Sequence, residues 1–274
     1  MKTFIHRRTL GRVPSFCTQA TLSVLLSVGG TSAYAGIIQI DPGSLSGTAL
    51  VDFEDLGLGD GEQVTFDSTF ESGFTLFGES FVGQTVTQSG NFDVLSGTPT
   101  DPLTLANGPA NQNITAIDGG AGDTGNTAIA GSGPLGYPDP DAVGEGSIAI
   151  LFDYDQSEFG FDIVGANGGS ATAQFWGRDG LLIDEIIFNL GNAIFTSFGF
   201  QTDDSSFSIA GVSIFNDDPG GIGFDNFRSD VEGVPGTPDD PGENPVSVPE
   251  PSSIFLAMLG IIFIGFSRIG KACA

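Results

Sequence analysis

Across residues 36–230 the apolar side chains return at every second position, in runs too short for helices and broken by turn residues. In residues 157–164, Phe159, Phe161 and Ile163 share one face, and Glu158, Gly160 and Asp162 the other. In residues 171–178, Ala171, Ala173 and Phe175 oppose Thr172, Gln174, Trp176 and Arg178. Val51 and Phe53 alternate with Asp52 and Glu54, and Val64, Phe66 and Phe70 continue the theme. A period of two is that of a strand with one buried face. Asp179-Gly180 lies between two such runs, as suits a tight hairpin. Residues 216–221, Asn-Asp-Asp-Pro-Gly-Gly, separate two more. No stretch carries the 3.6-residue period of an amphipathic helix. Nineteen of the 24 phenylalanines fall in this segment, enough apolar surface for one sizeable core. The expected fold is therefore all-β: a jelly-roll-like antiparallel β-sandwich. Residues 107–146, rich in Gly, Asn, Asp and Pro, read as long loops with one or two short strands.

The two ends follow different rules. Residues 1–35 hold Lys2, Arg7, Arg8 and Arg12, an apolar run at 20–28, and then Ala33-Tyr34-Ala35. A charged start, a short apolar stretch and a small-x-small site make a secretory signal peptide, cut after Ala35. Residues 36–229 form the ectodomain. Residues 230–248 are acidic and rich in proline, a composition that stays extended and self-repelling. Residues 249–274 form the tail, whose segment 254–266 is without charge. A helix over 252–269 would be ~27 Å long, close to the ~30 Å of a hydrocarbon core. It reads as a C-terminal transmembrane helix, with Arg268 and Lys271 on the cytoplasmic side.

Charge excludes whole classes of chemistry. Of the eight basic residues only Arg178 and Arg228 lie between 36 and 250, whereas all 34 acidic residues do. The same span has no Lys, His, Cys or Met. It therefore cannot build a Ser-His-Asp or Cys-His nucleophile, a zinc site of the usual ligands, a lysine Schiff base or a disulfide. A polyanion such as nucleic acid would be repelled. Hard, oxygen-seeking Ca²⁺ suits such a surface, although most of the acids are expected to be merely solvated.

The sequence Val248-Pro249-Glu250-Pro251-Ser252, the apolar span 254–266 and Arg268 together resemble the PEP-CTERM protein-sorting signal of exported bacterial proteins. That resemblance implies recognition by an exosortase at the bacterial membrane. It also implies a place in the cell envelope or extracellular matrix, with exopolysaccharide as a candidate partner. The runs VDFEDL, FGFDI, FWGRDGLLI and GIGFDNF resemble strands of β-sandwich modules that accompany this tail, and distantly those of carbohydrate-binding jelly rolls.

Three candidate sites follow. First and last strands are often neighbours in a jelly roll, which would bring Asp52 or Glu54 near Asp225 and Asn226 as oxygen ligands for Ca²⁺. Asp153, Asp155 and Glu158 form a second acidic group. Trp176, the single tryptophan, falls on a polar face with Gln174 and Arg178, as a sugar-stacking platform would. A carboxylate pair such as Glu54 with Asp225 is what a glycosidase would use, but so many acids single out no pair. The expected function is that of a non-enzymatic surface or matrix protein that binds carbohydrate. A glycan-active enzyme and a purely structural envelope protein are the alternatives.

Overall fold

A computed structural model describes residues 35–119 and 126–230. The cleavage-site residue Ala33, most of the linker and the whole tail from Pro249 lie outside the described residues. So does the candidate span 254–266, and among the described residues no helix is long and apolar enough to cross a membrane.

The described residues form eighteen strands, numbered in chain order, and these pair antiparallel throughout. One sheet runs β1 (Ile37–Ile40), β16 (Phe195–Thr202), β13 (Glu158–Val164), β18 (Gly223–Ser229), β11 (Thr127–Gly131), β10 (Ile114–Asp118) and β3 (Gln63–Phe66). Strand β2 (Ala49–Val51) also pairs with β18, so an early strand and the last one are neighbours, as expected. The second sheet runs β15 (Leu182–Asn189), β14 (Ser170–Trp176), β17 (Ile209–Asn216), β12 (Ile148–Gln156), β5 (Thr75–Gly78) and β4 (Phe70–Ser72). Two small ribbons complete the fold: β6 (Ser80–Phe81) with β9 (Leu105–Ala106), and β7 (Thr85–Ser89) with β8 (Phe92–Ser96).

Asp179-Gly180 forms the expected hairpin between β14 and β15, with Gly180 at φ 74°. Beyond β11 the chain alternates between sheets, and only the β14–β15 hairpin stays within one. Strand neighbours are therefore distant in sequence, and the two sheets cannot form separately from their shared core. Residues 107–146 supply two strands, β10 and β11, both built into the first sheet.

The core is a seam of aromatic rings between the sheets. Phe77 of β5 meets Phe227 of β18 at 5.5 Å, and Phe152 of β12 meets Phe159 of β13 at 5.3 Å. Phe175 of β14 meets Phe200 of β16 at 5.2 Å, and Phe188 of β15 meets Phe198 of β16 at 4.5 Å. Phe161 lies 5.5–6.2 Å from six other rings, contributed by both sheets. Phe53 joins from a left-handed turn (φ 60°), its ring fully buried and edge-on to Phe77 and Phe227. That conformation is costly for a bulky residue, and burial of the ring offsets it.

The outer face of the second sheet has its own small core. Phe81, Leu103 and Trp176 pack there over Ala149 and Ala210. A side chain at Gly211 would strike the ring of Phe81, so a bare backbone at that position lets the covering segment approach. The alternation in 171–178 thus marks the main core face correctly, but both faces are covered.

Phe161→Ala is expected to cost about 3–5 kcal/mol, because the surrounding rings belong to two sheets and cannot collapse into the void together. Urea unfolding followed by tryptophan emission checks this.

Candidate functional site

The expected sugar platform is internal. Trp176 is only 2% exposed, roofed by Phe81 and Leu103, and its indole N–H donates to Ser213 Oγ at 3.0 Å. Gln174 is buried as well: its amide N–H donates to Glu185 Oε2 at 2.9 Å and its Oε1 accepts from Gln84 Nε2 at 2.9 Å. Gln84 belongs to the covering segment and also donates to Ser213 Oγ at 3.1 Å. Arg178 holds Asp155 through Nε and Nη2, at 3.0 and 2.7 Å, and donates to the Asp153 carbonyl at 3.3 Å. The stacking proposal for Trp176, Gln174 and Arg178 is therefore corrected. The 80–106 segment lies on the face that the strand pattern left open.

The acids expected around Ca²⁺ share a neighbourhood in the sheet but not a common centre. The left-handed turn at Phe53 sends its ring inward and leaves Asp52 and Glu54 exposed. Glu54 Oε1 accepts from the Thr127 backbone N–H at 2.8 Å, and Asp52 Oδ1 faces the Glu54 N–H at 3.3 Å. Asp225 is buried and stands opposite Asp162 of β13 in register. Asn226 bridges those two carboxylates, donating at 3.0 Å to Asp162 and 3.1 Å to Asp225, and Arg228 adds an ion pair to Asp162 at 3.6 Å. Glu54 and Asp225 thus serve different partners. The second acidic group also divides, because Glu158 turns to the N–H groups of Ser46 and Gly47 at 2.6 and 2.5 Å. Among the described residues no three His, Cys, Asp or Glu side chains converge as a metal cluster.

Many carboxylates have a structural task instead of being merely solvated. Asp217 accepts from Ser170 N–H, Asp218 from those of Asn167 and Gly220, and Asp55 from that of Gly73. With no lysine available, these acids pair with loop backbone donors that would otherwise go unmatched. The Gly220–Gly221 stretch is a turn entering β18, and Asp218 closes it.

One pair of acids departs from this pattern. Glu79 follows β5 and Asp93 lies in β8; each is only 4% exposed. Both line a cavity of about 640 Å³, together with Thr87, Gln88, Asn107 and Gln112. Ser147 joins the two residues: its N–H donates to Asp93 Oδ2 at 3.3 Å and its hydroxyl to the Glu79 carbonyl at 3.0 Å. Among the described residues no donor reaches the Glu79 carboxylate, which presses on Gly108, where a Cβ would collide with it. Asn113 fixes the Gly108 loop, accepting from Gly108 N–H at 2.5 Å and donating to the Pro109 carbonyl at 3.3 Å.

Burial, reinforced by the neighbouring Asp93, pushes Glu79 from an ordinary 4.5 to about 7. Burial likewise raises Asp93 from 3.8 to about 6, and the Ser147 N–H restrains that rise. Nearby Glu145, whose carbonyl accepts from Asp93 N–H at 3.0 Å, is raised by burial and then by Asp141 and Asp139. Its Oε2 is buried without a partner.

The sequence carried a partial signal for Glu79 and none for Asp93, which Phe92 and Val94 flank out of phase. Glu79 is in phase with Phe77 and Phe81, both fully buried. An acid on the buried phase of a strand pattern is rare unless something compensates its charge.

The described domain is an antiparallel β-sandwich with an acidic cavity, and in sequence a proline-rich stretch and a short apolar tail follow it. The PEP-CTERM protein-sorting motif matches residues 247–269, which include Pro249, Glu250, Pro251 and Arg268. The chain thus carries a PEP-CTERM sorting motif, the mark of an exported protein that is membrane-anchored before exosortase processing. Among solved structures, a DUF4465 family protein from Bacteroides caccae is similar to it. That match has 12% identity and a TM-score of 0.38, and covers 67% of this chain and 98% of that one. No curated protein matches the chain.

Two outcomes are expected. The single tryptophan should emit at the blue end of its range, resist acrylamide quenching, and shift red on unfolding. The raised acids bind protons more tightly folded than unfolded, so their destabilisation is fully present above about pH 7 and disappears as pH falls toward 4. Without divalent cations, the melting temperature should therefore be several degrees higher at pH 5 than at pH 8. Glu79→Gln should raise it at pH 8 and flatten the slope, as thermal scans across that range would record.

Proposed function

We propose that the exported domain is a non-enzymatic surface or matrix protein that holds a neutral, hydroxyl-rich polysaccharide segment in the Glu79–Asp93 cavity. The observation that carries this reading is the chemistry of the lining: amides, hydroxyls and two acids set among Val86, Ala106, Pro109 and Pro134, with no basic residue and no aromatic ring. Gln88 and Gln112 each spend one N–H on a backbone carbonyl, of Gly90 and Pro134, at 2.8 and 3.1 Å. Each amide has another N–H and a carbonyl to offer. Such a lining suits sugar hydroxyls, which both donate and accept, and disfavours polyanions. Recognition rests on hydrogen bonds, in place of the ring stacking expected at Trp176.

A second reading, a carboxylate-dependent glycan-active enzyme, is favoured by the two neighbouring acids at about 7 and about 6, values suited to proton transfer near neutrality.

A pull-down on neutral and acidic polysaccharides separates these readings from a purely structural role. Retention on a neutral polysaccharide is expected, falling about tenfold when Gln88 and Gln112 are both replaced by Ala, the loss of roughly one or two hydrogen bonds. Equal retention of both proteins would remove the cavity as the binding site. New reducing ends released by the wild type but not by Glu79→Gln would favour the enzyme.

A further inference from the structure

A buried carboxylate pair needs compensation, and few sources are at hand. Protein cations are spent: Arg178 is held by Asp155 and Arg228 pairs with Asp162. They are the only basic residues between 36 and 250. Hydrogen-bond donors are scarce, since Ser147 N–H reaches Asp93 alone. That leaves a proton or a cation from outside. An acid whose side chain has no partner among the described residues, in a residue more than nine-tenths buried and lining an open cavity, is a strong demand for one.

We infer that Glu79 and Asp93 hold a divalent cation, Ca²⁺ by the chemistry of the donors, at the inner end of the cavity. The pair itself offers only oxygen, the Glu79 carboxylate and Asp93 Oδ1, and the amides of Gln84, Gln88, Asn107 and Gln112 that line the same cavity carry further oxygens. No thiolate or imidazole exists in residues 36–250 to favour zinc or copper. A cavity of about 640 Å³ leaves room for waters to complete six to eight ligands, the open coordination that Ca²⁺ accepts and Mg²⁺ resists. Ser147 fixes the geometry by tying Asp93 to the Glu79 backbone, and Asn113 does so by setting the Gly108 loop against the Glu79 carboxylate. The raised proton affinity of both acids marks the same electrostatic demand. Export places the domain where Ca²⁺ is not depleted by the cytoplasm. The inference is independent of glycan binding and is tested with the metal alone.

The purified full chain, stripped with chelator and returned to pH 8, is titrated with CaCl₂ while thermal unfolding is followed. A saturable rise of several degrees is expected, with one site by calorimetry and no comparable rise in NaCl of equal ionic strength. Glu79→Gln and Asp93→Asn should weaken the affinity at least tenfold while keeping the buried tryptophan emission. Gly108→Ala, which displaces the Glu79 carboxylate without changing charge, should weaken it as well, and serves if an acid variant does not fold. Absence of any saturable shift in the wild type overturns the inference. So does a shift of equal size in folded Glu79→Gln or in Gly108→Ala, which would assign binding to the diffuse surface acids.

Discussion

The contact between phenylalanine rings across the two sheets is the interaction on which the rest of this domain depends. Phe161 and Phe227 touch rings from both layers, and Phe53 and Phe77 extend the seam toward β2. Because the chain alternates between sheets after β11, few of the later strands have a local partner. Pairing in one sheet is worth its loop-closure entropy only when the opposing sheet is present to bury the same rings. The seam therefore supplies cooperativity as well as burial.

Acidic residues divide into two physical roles. The larger set, including Asp217, Asp218, Asp55 and Glu158, accepts hydrogen bonds from loop backbone N–H groups. A carboxylate there is both acceptor and surface charge, so a chain almost without lysine remains soluble and still satisfies its turns. Glu79 and Asp93 have little of that compensation. Their carboxylates lie against Gly108 and Ser147 in a cavity, where burial raises the proton affinity of both and Asp93 adds to that of Glu79. The same electrostatics that would make such a pair a liability in a closed core makes it an attractor in an open one.

The strand periodicity predicted most of the framework because a half-buried strand needs apolar groups on one face whatever its neighbours are. Phe159, Phe161 and Ile163 are all core, and β14 and β15 meet at Asp179-Gly180. Neighbourhood was legible too where it depended on fold class, since β2 does lie beside β18. Side-chain destination was not. Asp52 and Glu54 flank a left-handed turn at Phe53 that no pattern announces, and Glu54 bonds to the Thr127 backbone instead of joining an acidic cluster. Trp176 sits on the nominally polar face, yet the segment carrying Phe81, Gln84 and Leu103 folds over it. Sequence patterns report one strand at a time, whereas cover comes from residues about 70 to 95 positions away.

The sequence by itself determined the route of this protein and its class. Signals for export and sorting are read as linear segments, so Pro249-Glu250-Pro251, the apolar span and Arg268 needed no fold to be recognised. The missing His, Cys and Lys of residues 36–250 likewise excluded whole chemistries without reference to geometry. Only the tertiary structure decided which acids matter. Charge compensation is a property of three-dimensional surroundings: it separates Asp218, capped by backbone donors, from Glu79, which has none, though both are single carboxylates in short loops. That difference in surroundings turns one acid out of 34 into the centre of a site.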